Sequence, residues 1–289
     1  MDLGTAWSRA QACGDPVIST RRSLAPVGAE MAPALQAGVV RDATAATALV
    51  QSLMARLPRW GWRGPRVLAC VPSDARPVER HALMEAIAAA GAAEVALLCE
   101  PVAAAIGAGA DIASGFAHMV VDVGEGVTDA SVVDQRGIVA SAAVRVGCAD
   151  LRAAVRDALR RTQPMGADDH EAERVLRTRG LGSGDASPAV REAIAPVTAA
   201  IGGCVAGLLR SLGDREACQV IDSGIVLTGG GALLPGMGEL VEGATGVATR
   251  VADDPLNAVI RGASAVLREA ARTGLWAVHG DRPLGMTSR

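Results

Sequence analysis

The sequence has no tyrosine, one phenylalanine and four tryptophans, so its core must be built from Ala, Val, Leu and Ile, and each remaining aromatic ring stands out. It also lacks paired cysteines. Cys13, Cys70, Cys99, Cys148, Cys204 and Cys218 are scattered with no C-x-x-C spacing, which speaks for reduced structural thiols and against a zinc site or a dithiol redox motif. The four histidines form no H-E-x-x-H pattern, which argues against hydrolysis by protein-bound zinc. Neither charge sign is in excess: 28 basic against 31 acidic residues leave −3, and no nucleic-acid partner is expected from that balance. No basic-then-apolar leader opens the sequence. The longest uncharged stretch, Ala193 to Leu209, contains Pro196, Gly202 and Gly203 and falls short of the ~20 apolar residues a membrane span needs. It reads as a buried amphipathic helix, and the protein as cytoplasmic.

What is present is enough apolar material for a large core. Half of the 289 residues are hydrophobic, which suits two domains sharing the chain. Val67 to Val71 is a short apolar run ended by Pro72, the pattern of a buried parallel strand. Val78 to Ala90 reads as a helix stopped by Gly91, and Glu94 to Cys99 as a second strand. Glu100-Pro101 then opens another helix, with proline in the first turn where its missing N–H costs nothing. Met119 to Val123 is a third strand. Strands alternating with helices in this way give an α/β fold with a largely parallel sheet.

Two glycine turns echo one another. Asp2-Leu3-Gly4-Thr5 recurs as Asp122-Val123-Gly124-Glu125-Gly126-Val127-Thr128: an acid ending a strand, a glycine turn, then a threonine. Either alone is common turn chemistry; together they suggest a duplicated fold gripping a phosphate chain from two sides, since backbone N–H groups in such turns point at anionic oxygens. A third signal, Thr228-Gly229-Gly230-Gly231-Ala232, follows the apolar run Gly224 to Val226. Glycines at a strand end let backbone approach a ligand closely.

At this point the residues resemble a known family. Asp2 to Ala6, Val71-Pro72 with Val78-Glu79-Arg80, Glu100-Pro101 with Ala103 to Gly109, Val120 to Gly124, Gly137 to Val139, Val144 to Gly147, Leu227 to Leu234 and Val251 to Leu256 look like blocks of the rod-shape-determining MreB/Mbl family of bacterial actin homologues, in the family's order. The resemblance implies an actin-like ATPase fold: two similar domains around a nucleotide cleft, with both outer subdomains reduced. It would place residues 1–109 and 253–272 in the first domain, 110–252 in the second and 273–289 in a C-terminal tail. It implies ATP or ADP with Mg²⁺ as cofactor. Asp2 and Asp122 would hold the metal through water. Gly4, Thr5, Ala6 and Trp7 would meet the phosphates from one side, and Gly124, Glu125, Gly126 and Thr128 from the other. Glu100 would orient the attacking water, Glu173 would contact the ribose, and Gly229, Gly230, Gly231 and Ala232 would lie beside the adenosine.

The departures from the family pattern carry their own expectations. Glu125 replaces a glycine and Val127 a threonine in the second turn, Trp7 replaces a small polar residue in the first, and Leu176 stands where a basic nucleotide contact is expected. A carboxylate about 5 Å from a terminal phosphate would cost roughly 3 kcal/mol at an effective dielectric of ~20, unless Glu125 points outward or ligates the metal, and a lost hydroxyl removes help in positioning water. Hydrolysis is therefore expected to be slow or absent, and nucleotide binding weak or absent. Both outer subdomains look trimmed, at Val17 to Val40 and between Gly180 and Ser187. The implied function is a divergent cytoskeletal protein of cell-shape and cell-wall morphogenesis, assembling with a full-length homologue or with itself. A small-molecule kinase or phosphatase of the same superfamily, or a decayed paralogue, is the alternative. Finally, Arg59, Trp60, Trp62 and Arg63 lie in a Pro/Gly loop and suggest contact with the inner face of the cell membrane, where Trp and Arg favour an anionic interface.

Overall fold

Asp2 and Leu3 form the first strand, β1, and the chain turns back through residues 4–6 into β2 (Trp7–Gln11), which pairs antiparallel with β1 and then with β3 (Ile18–Arg22). The computed structural model describes residues 1–28, 30–36, 38–58, 64–162, 167–181 and 187–274. By contacts the chain divides into two units. The first holds residues 1–115, 133–138 and the segment from Asn257 onward; the second holds residues 116–132 and 139–256.

In the first unit, two short two-stranded ladders follow the opening meander: β4 (Leu24–Val27) with β5 (Glu30–Pro33), and β6 (Leu35–Gln36) with β7 (Val39–Val40). Helix α1 (Ala43–Met54) starts where the Asp42 carboxylate accepts from Ala45 N at 2.8 Å, an N-cap that satisfies one of the helix's orphan donors. It buries Ala45, Ala46, Leu49, Val50 and Leu53, one face at helical spacing. Strand β8 (Arg66–Val71) is buried from Val67 onward and runs parallel to β9 (Glu94–Cys99), with α2 (Pro77–Ala89) as the crossover. Met1 joins β1 to this pair: its nitrogen donates to Leu68 O at 2.5 Å and its carbonyl accepts from Cys70 N at 2.9 Å. Strands therefore lie in the order β3-β2-β1-β8-β9. Helix α3 (Glu100–Gly107) leaves β9 directly and packs on the last helix, α9 (Ala258–Thr273). A Cβ at Gly107 would lie 1.8 Å from Ala258 O, and one at Gly262 1.8 Å from Ala103 O. Only glycine lets these two helix backbones touch.

The second unit repeats the plan. Strand β10 (His118–Val123) turns into β11 (Thr128–Asp134) and β12 (Gly137–Val144), residues 133–138 of that hairpin being counted with the first unit. After α4 (Cys148–Thr162), α5 (Asp169–Arg179), α6 (Pro188–Ser211) and α7 (Asp214–Ser223) come β13 (Ile225–Thr228), α8 (Met237–Thr245) and β14 (Thr249–Val251). The sheet order is β12-β11-β10-β13-β14, with β13 parallel to both β10 and β14. Each unit is thus a three-strand meander whose first strand continues the sheet into two further strands that run parallel to each other. The stretch read as a buried helix is α6. It is long and apolar enough to cross a membrane by length and composition alone, yet Val190, Ile194, Ile201, Val205 and Leu208 sit in the core and it packs against α4 and α8.

Candidate functional site

The two echoing turns occupy the same place in their units, between the first and second strands of a meander. Their geometry matches residue for residue. A Cβ at Gly4 would lie 2.9 Å from Trp7 O, and one at Gly124 3.0 Å from Val127 O. The turns are too tight for a side chain at these two positions, so Thr5 corresponds to Glu125 and Ala6 to Gly126.

In the first unit the turn is anchored from outside. Ser23 Oγ donates to Gly4 O at 2.5 Å and therefore accepts from Ser8 Oγ at 2.8 Å, while Ser23 N donates to Ala6 O at 3.0 Å. The Thr5 hydroxyl accepts from Gly38 N at 3.0 Å, which ties the turn to the β6–β7 ladder. Asp2 lies across β1–β2 from Arg9, whose Nη1 reaches its carboxylate at 3.2 Å. Burial pushes the Asp2 carboxyl above the usual range, with Arg9 and the α-amino group opposing that shift. Trp7 is 44% exposed, and the Arg22 guanidinium lies 5.3 Å from its ring centroid, a cation–π contact. Glu100 stands in the first turn of α3, where a carboxylate complements the helix N-terminus.

In the second unit the turn packs against the start of α4. Cys148 N donates to Gly124 O at 3.0 Å and Ala149 N to Glu125 O at 2.8 Å. These bonds satisfy orphan donors of the helix. They also leave the Gly124 and Glu125 carbonyls bonded to α4, while the amides of Glu125 and Gly126 have no backbone acceptor among the described residues. Such free amides suit an anion. Thr128 is fully buried and its hydroxyl donates to Val146 O at 2.9 Å, so it holds the turn in place. The Cys148 thiol beneath the turn is pushed up to about 12, by burial first and then by Glu125 and Glu173.

Glu125 has a partner that the sequence alone does not name. The carboxylate expected to repel a phosphate is bonded to Arg152 Nη2 on α4. Arg152 Nη1 reaches Glu173 Oε2 at 3.3 Å, and the other Glu173 oxygen accepts from Arg177 Nε at 2.6 Å. The lone repulsive charge is thereby a member of an alternating acid–base row joining the turn, α4 and α5. Leu176, where a basic contact was expected, is buried in the core.

The late glycine loop leaves β13 beside β10, where Asp122 pairs with Thr228. Gly229 has φ +80°, and a Cβ there would lie 2.1 Å from Asp122 Oδ1; one at Gly231 would lie 2.2 Å from Val123 Cγ1. Packing and backbone therefore explain two of the three glycines. Gly230, whose nearest contact would be Leu256 at 3.8 Å, is free to meet something outside the chain. Ala232 is buried in the core. The second unit thus gathers Asp122, the 124–128 turn, Glu173 and the 229–232 loop around the end of β10, and the first unit gathers Asp2 and the 4–7 turn around the end of β1. Arg9, Ser23, Gly38 and Arg152 were not legible beforehand. Each acts from 7 or more positions away, with no local motif to mark it. Arg59, Trp60, Trp62 and Arg63 lie outside the described residues.

Comparison with known proteins accounts for this repeated plan. The model of the MreB/Mbl protein family matches residues 24–183 and 185–274. The cell shape-determining protein MreB of Escherichia coli (strain K12) is 36% identical over 226 residues, an alignment covering 70% of this chain and 65% of that protein. The chain thus spans a little under two thirds of that relative's length. The crystal structure of MreB5 of Spiroplasma citri bound to AMPPNP superposes with a TM-score of 0.85 at 25% identity, covering 95% of this chain and 97% of that one. MamK, solved as a double helical filament, shares the fold at a TM-score of 0.78 and 17% identity, over 92% of this chain and 97% of that one. The actin-like fold expected from the resemblance is therefore present, and the chain belongs to the MreB/Mbl family.

Proposed function

We propose that this chain is an actin-like cytoskeletal subunit of bacterial cell-shape and cell-wall morphogenesis, cytoplasmic and working at the inner face of the membrane, that takes up ATP or ADP with Mg²⁺ weakly and turns it over slowly if at all. The observation that carries the nucleotide reading is the pair of equivalent acid–glycine turns, one in each unit, the second with free amides at Glu125 and Gly126. The AMPPNP bound to the MreB5 relative supports it.

The residues present fit the group. The amides of Gly4, Thr5 and Ala6, and those of Glu125 and Gly126, would hold the phosphates, with Thr5 and Thr128 fixing the turns and Trp7 at the rim. Gly230 would lie beside the adenosine, with Gly229, Gly231 and Ala232 shaping the loop, and Glu173 would face the ribose. Mg²⁺ keeps most of its waters and needs few protein carboxylates, which suits Asp2 and Asp122 acting through water. When bound, it would neutralise phosphate charge. Glu100 would orient a water for attack, and Val127, with no hydroxyl, gives that water no help. Isothermal titration with Mg-ATP tests this: the reading predicts a micromolar-to-millimolar dissociation constant, and absence of heat at millimolar nucleotide overturns it.

Assembly is proposed to be with a full-length homologue rather than as long homopolymers, because the sequence at residues 17–40 and 180–187 reads as trimmed against the family pattern. The filament formed by MamK supports assembly as a property of the fold. Co-sedimentation with a full-length homologue, with electron microscopy of the protein alone, tests this; long filaments of the protein alone would refute it. A small-molecule kinase or phosphatase is not favoured by the family match.

A further inference from the structure

The Glu125–Arg152–Glu173 row is built rather than incidental. Arg152 lies one turn beyond Cys148 on α4, the residue whose amide already holds the turn at Gly124 O, so backbone and side chain of one helix grip the same turn from one face. The side chains of Glu125, Arg152 and Glu173 are 27%, 22% and 32% exposed. They are sheltered enough that removing one partner leaves the other poorly compensated by water. Burial works against the Arg152 guanidinium's charge, and the hydrogen bonds and charges of Glu125 and Glu173 together outweigh it and raise its pKa. Glu125 stands at the tip of a turn whose neighbouring amides are free, so an anion there meets either a bare carboxylate or a neutral pair, and the guanidinium decides which.

We infer that Arg152 is a positioning residue for the phosphate-binding turn: it draws the Glu125 carboxylate toward α4 and cancels its charge, so that the turn accepts an anionic phosphate chain despite carrying an acid. This rests on the nucleotide reading above. Glu125 is then harmful when Arg152 alone is removed and tolerable when Arg152 is present or when both are absent.

The experiment is a double-mutant cycle on the full chain, with Mg-ATP affinity and thermal unfolding read in parallel for the parent, Arg152→Ala, Glu125→Gly, Glu125→Gly/Arg152→Ala and Arg152→Lys. Arg152→Ala should weaken Mg-ATP binding by about tenfold or more, because an uncompensated acid then faces the phosphates. The double variant should return to within about threefold of the parent, a non-additivity typical of residues in direct contact. Arg152→Lys, which keeps the charge but not the fork, should fall between. Both alanine-bearing variants lose the side-chain grip on the turn and should unfold at similar, lowered temperatures. A merely structural role would make affinity follow unfolding temperature, and the double variant would stay weak. Binding unchanged in Arg152→Ala, a double variant as weak as the single, or binding seen only in Glu125→Gly would each overturn the inference while leaving the nucleotide site standing. No Mg-ATP binding by any of the five proteins would overturn the nucleotide reading and this inference with it.

Discussion

The three consecutive glycines at 229–231 offer a test in which stability and ligand binding should come apart. Gly229 has φ +80° and a Cβ there would lie 2.1 Å from Asp122 Oδ1 and 2.5 Å from Val123 O. Alanine at that position has to adopt a left-handed backbone, at ~1–2 kcal/mol, and to push aside a carboxylate and a carbonyl, at about 1–3 kcal/mol more. Gly229→Ala should therefore destabilise the second unit by about 2–5 kcal/mol, lowering its Tm by roughly 6–20 °C. Gly231→Ala meets Val123 Cγ1 at 2.2 Å and carries only the overlap, about 1–3 kcal/mol. Gly230 has φ −68° and ψ −32°, a conformation alanine adopts freely, with its nearest neighbour at 3.8 Å. Gly230→Ala should leave stability unchanged or raise it by about 0.4–1 kcal/mol, yet weaken Mg-ATP binding, because a methyl group then occupies the one glycine surface left uncovered. Calorimetry and titration on the three variants measure both quantities. Equal Tm losses at all three sites, or a neutral Gly229→Ala, would refute the packing account. A Gly230→Ala protein that binds as the parent does would remove Gly230 from the site.

Three further outcomes follow from the site. Val127→Thr should raise ATP turnover, read as phosphate release, and adding Glu100→Gln should lower it again by about a hundredfold or more; a Val127→Thr protein with the parent's rate would show that the hydroxyl is not the missing part. At pH 8 a thiol reagent should modify exposed Cys13 and Cys218 promptly, and Cys148 only after unfolding, because a thiol pushed up to about 12 has almost no thiolate there; prompt labelling of Cys148 in the folded protein would contradict the packing of α4 on the turn. Vesicles containing anionic lipid should retain the parent in a salt-sensitive way, and Trp60→Ser/Trp62→Ser should lose that retention while staying folded, equal binding by the two proteins arguing against a membrane loop at Arg59 to Arg63.

The parts of the fold legible in the sequence were those set by local chemistry. Apolar runs bounded by Pro72 and Gly91 gave β8, α2 and β9 within a residue or two, and Glu100-Pro101 placed the start of α3. The repeated Asp-x-Gly turns pointed to duplication because each glycine is required by its own turn, a constraint that acts over three residues. The antiparallel meanders, by contrast, were not read. The buried positions of Trp7 to Gln11 are Ser8 and Ala10, with Trp7 exposed, and Ile18 to Arg22 has no fully buried position, so the period-two hydrophobic pattern is faint in the sequence; the turn at Gly4 fixes the pairing of β1 with β2. Nor were the glycines of the helix contact, because Gly107 and Gly262 belong to segments 155 residues apart and each alone looks like an ordinary interruption of a helix.

Glu125 shows why a departure from a family pattern is a poor measure of damage when read one position at a time. In sequence it is an acid in a turn proposed to bind phosphate, and Coulomb's law assigns it a cost. In the structure the cost depends on a residue 27 positions later, on the next helix, that arrives at the turn because α4 starts there. An acid and a guanidinium in contact carry no net charge together, so a ligand beyond them meets a dipole, whose repulsion is weaker than that of the lone carboxylate and falls off faster with distance. Val127 has no such partner available: a missing hydroxyl cannot be supplied by a charge. The two departures therefore predict different losses. Glu125, paired, should leave nucleotide affinity close to what the turn amides can provide, and Val127 should lower turnover without lowering affinity. Slow hydrolysis together with measurable binding is the combination the two departures predict; fast hydrolysis, or binding that recovers only when Glu125 is removed, would contradict it.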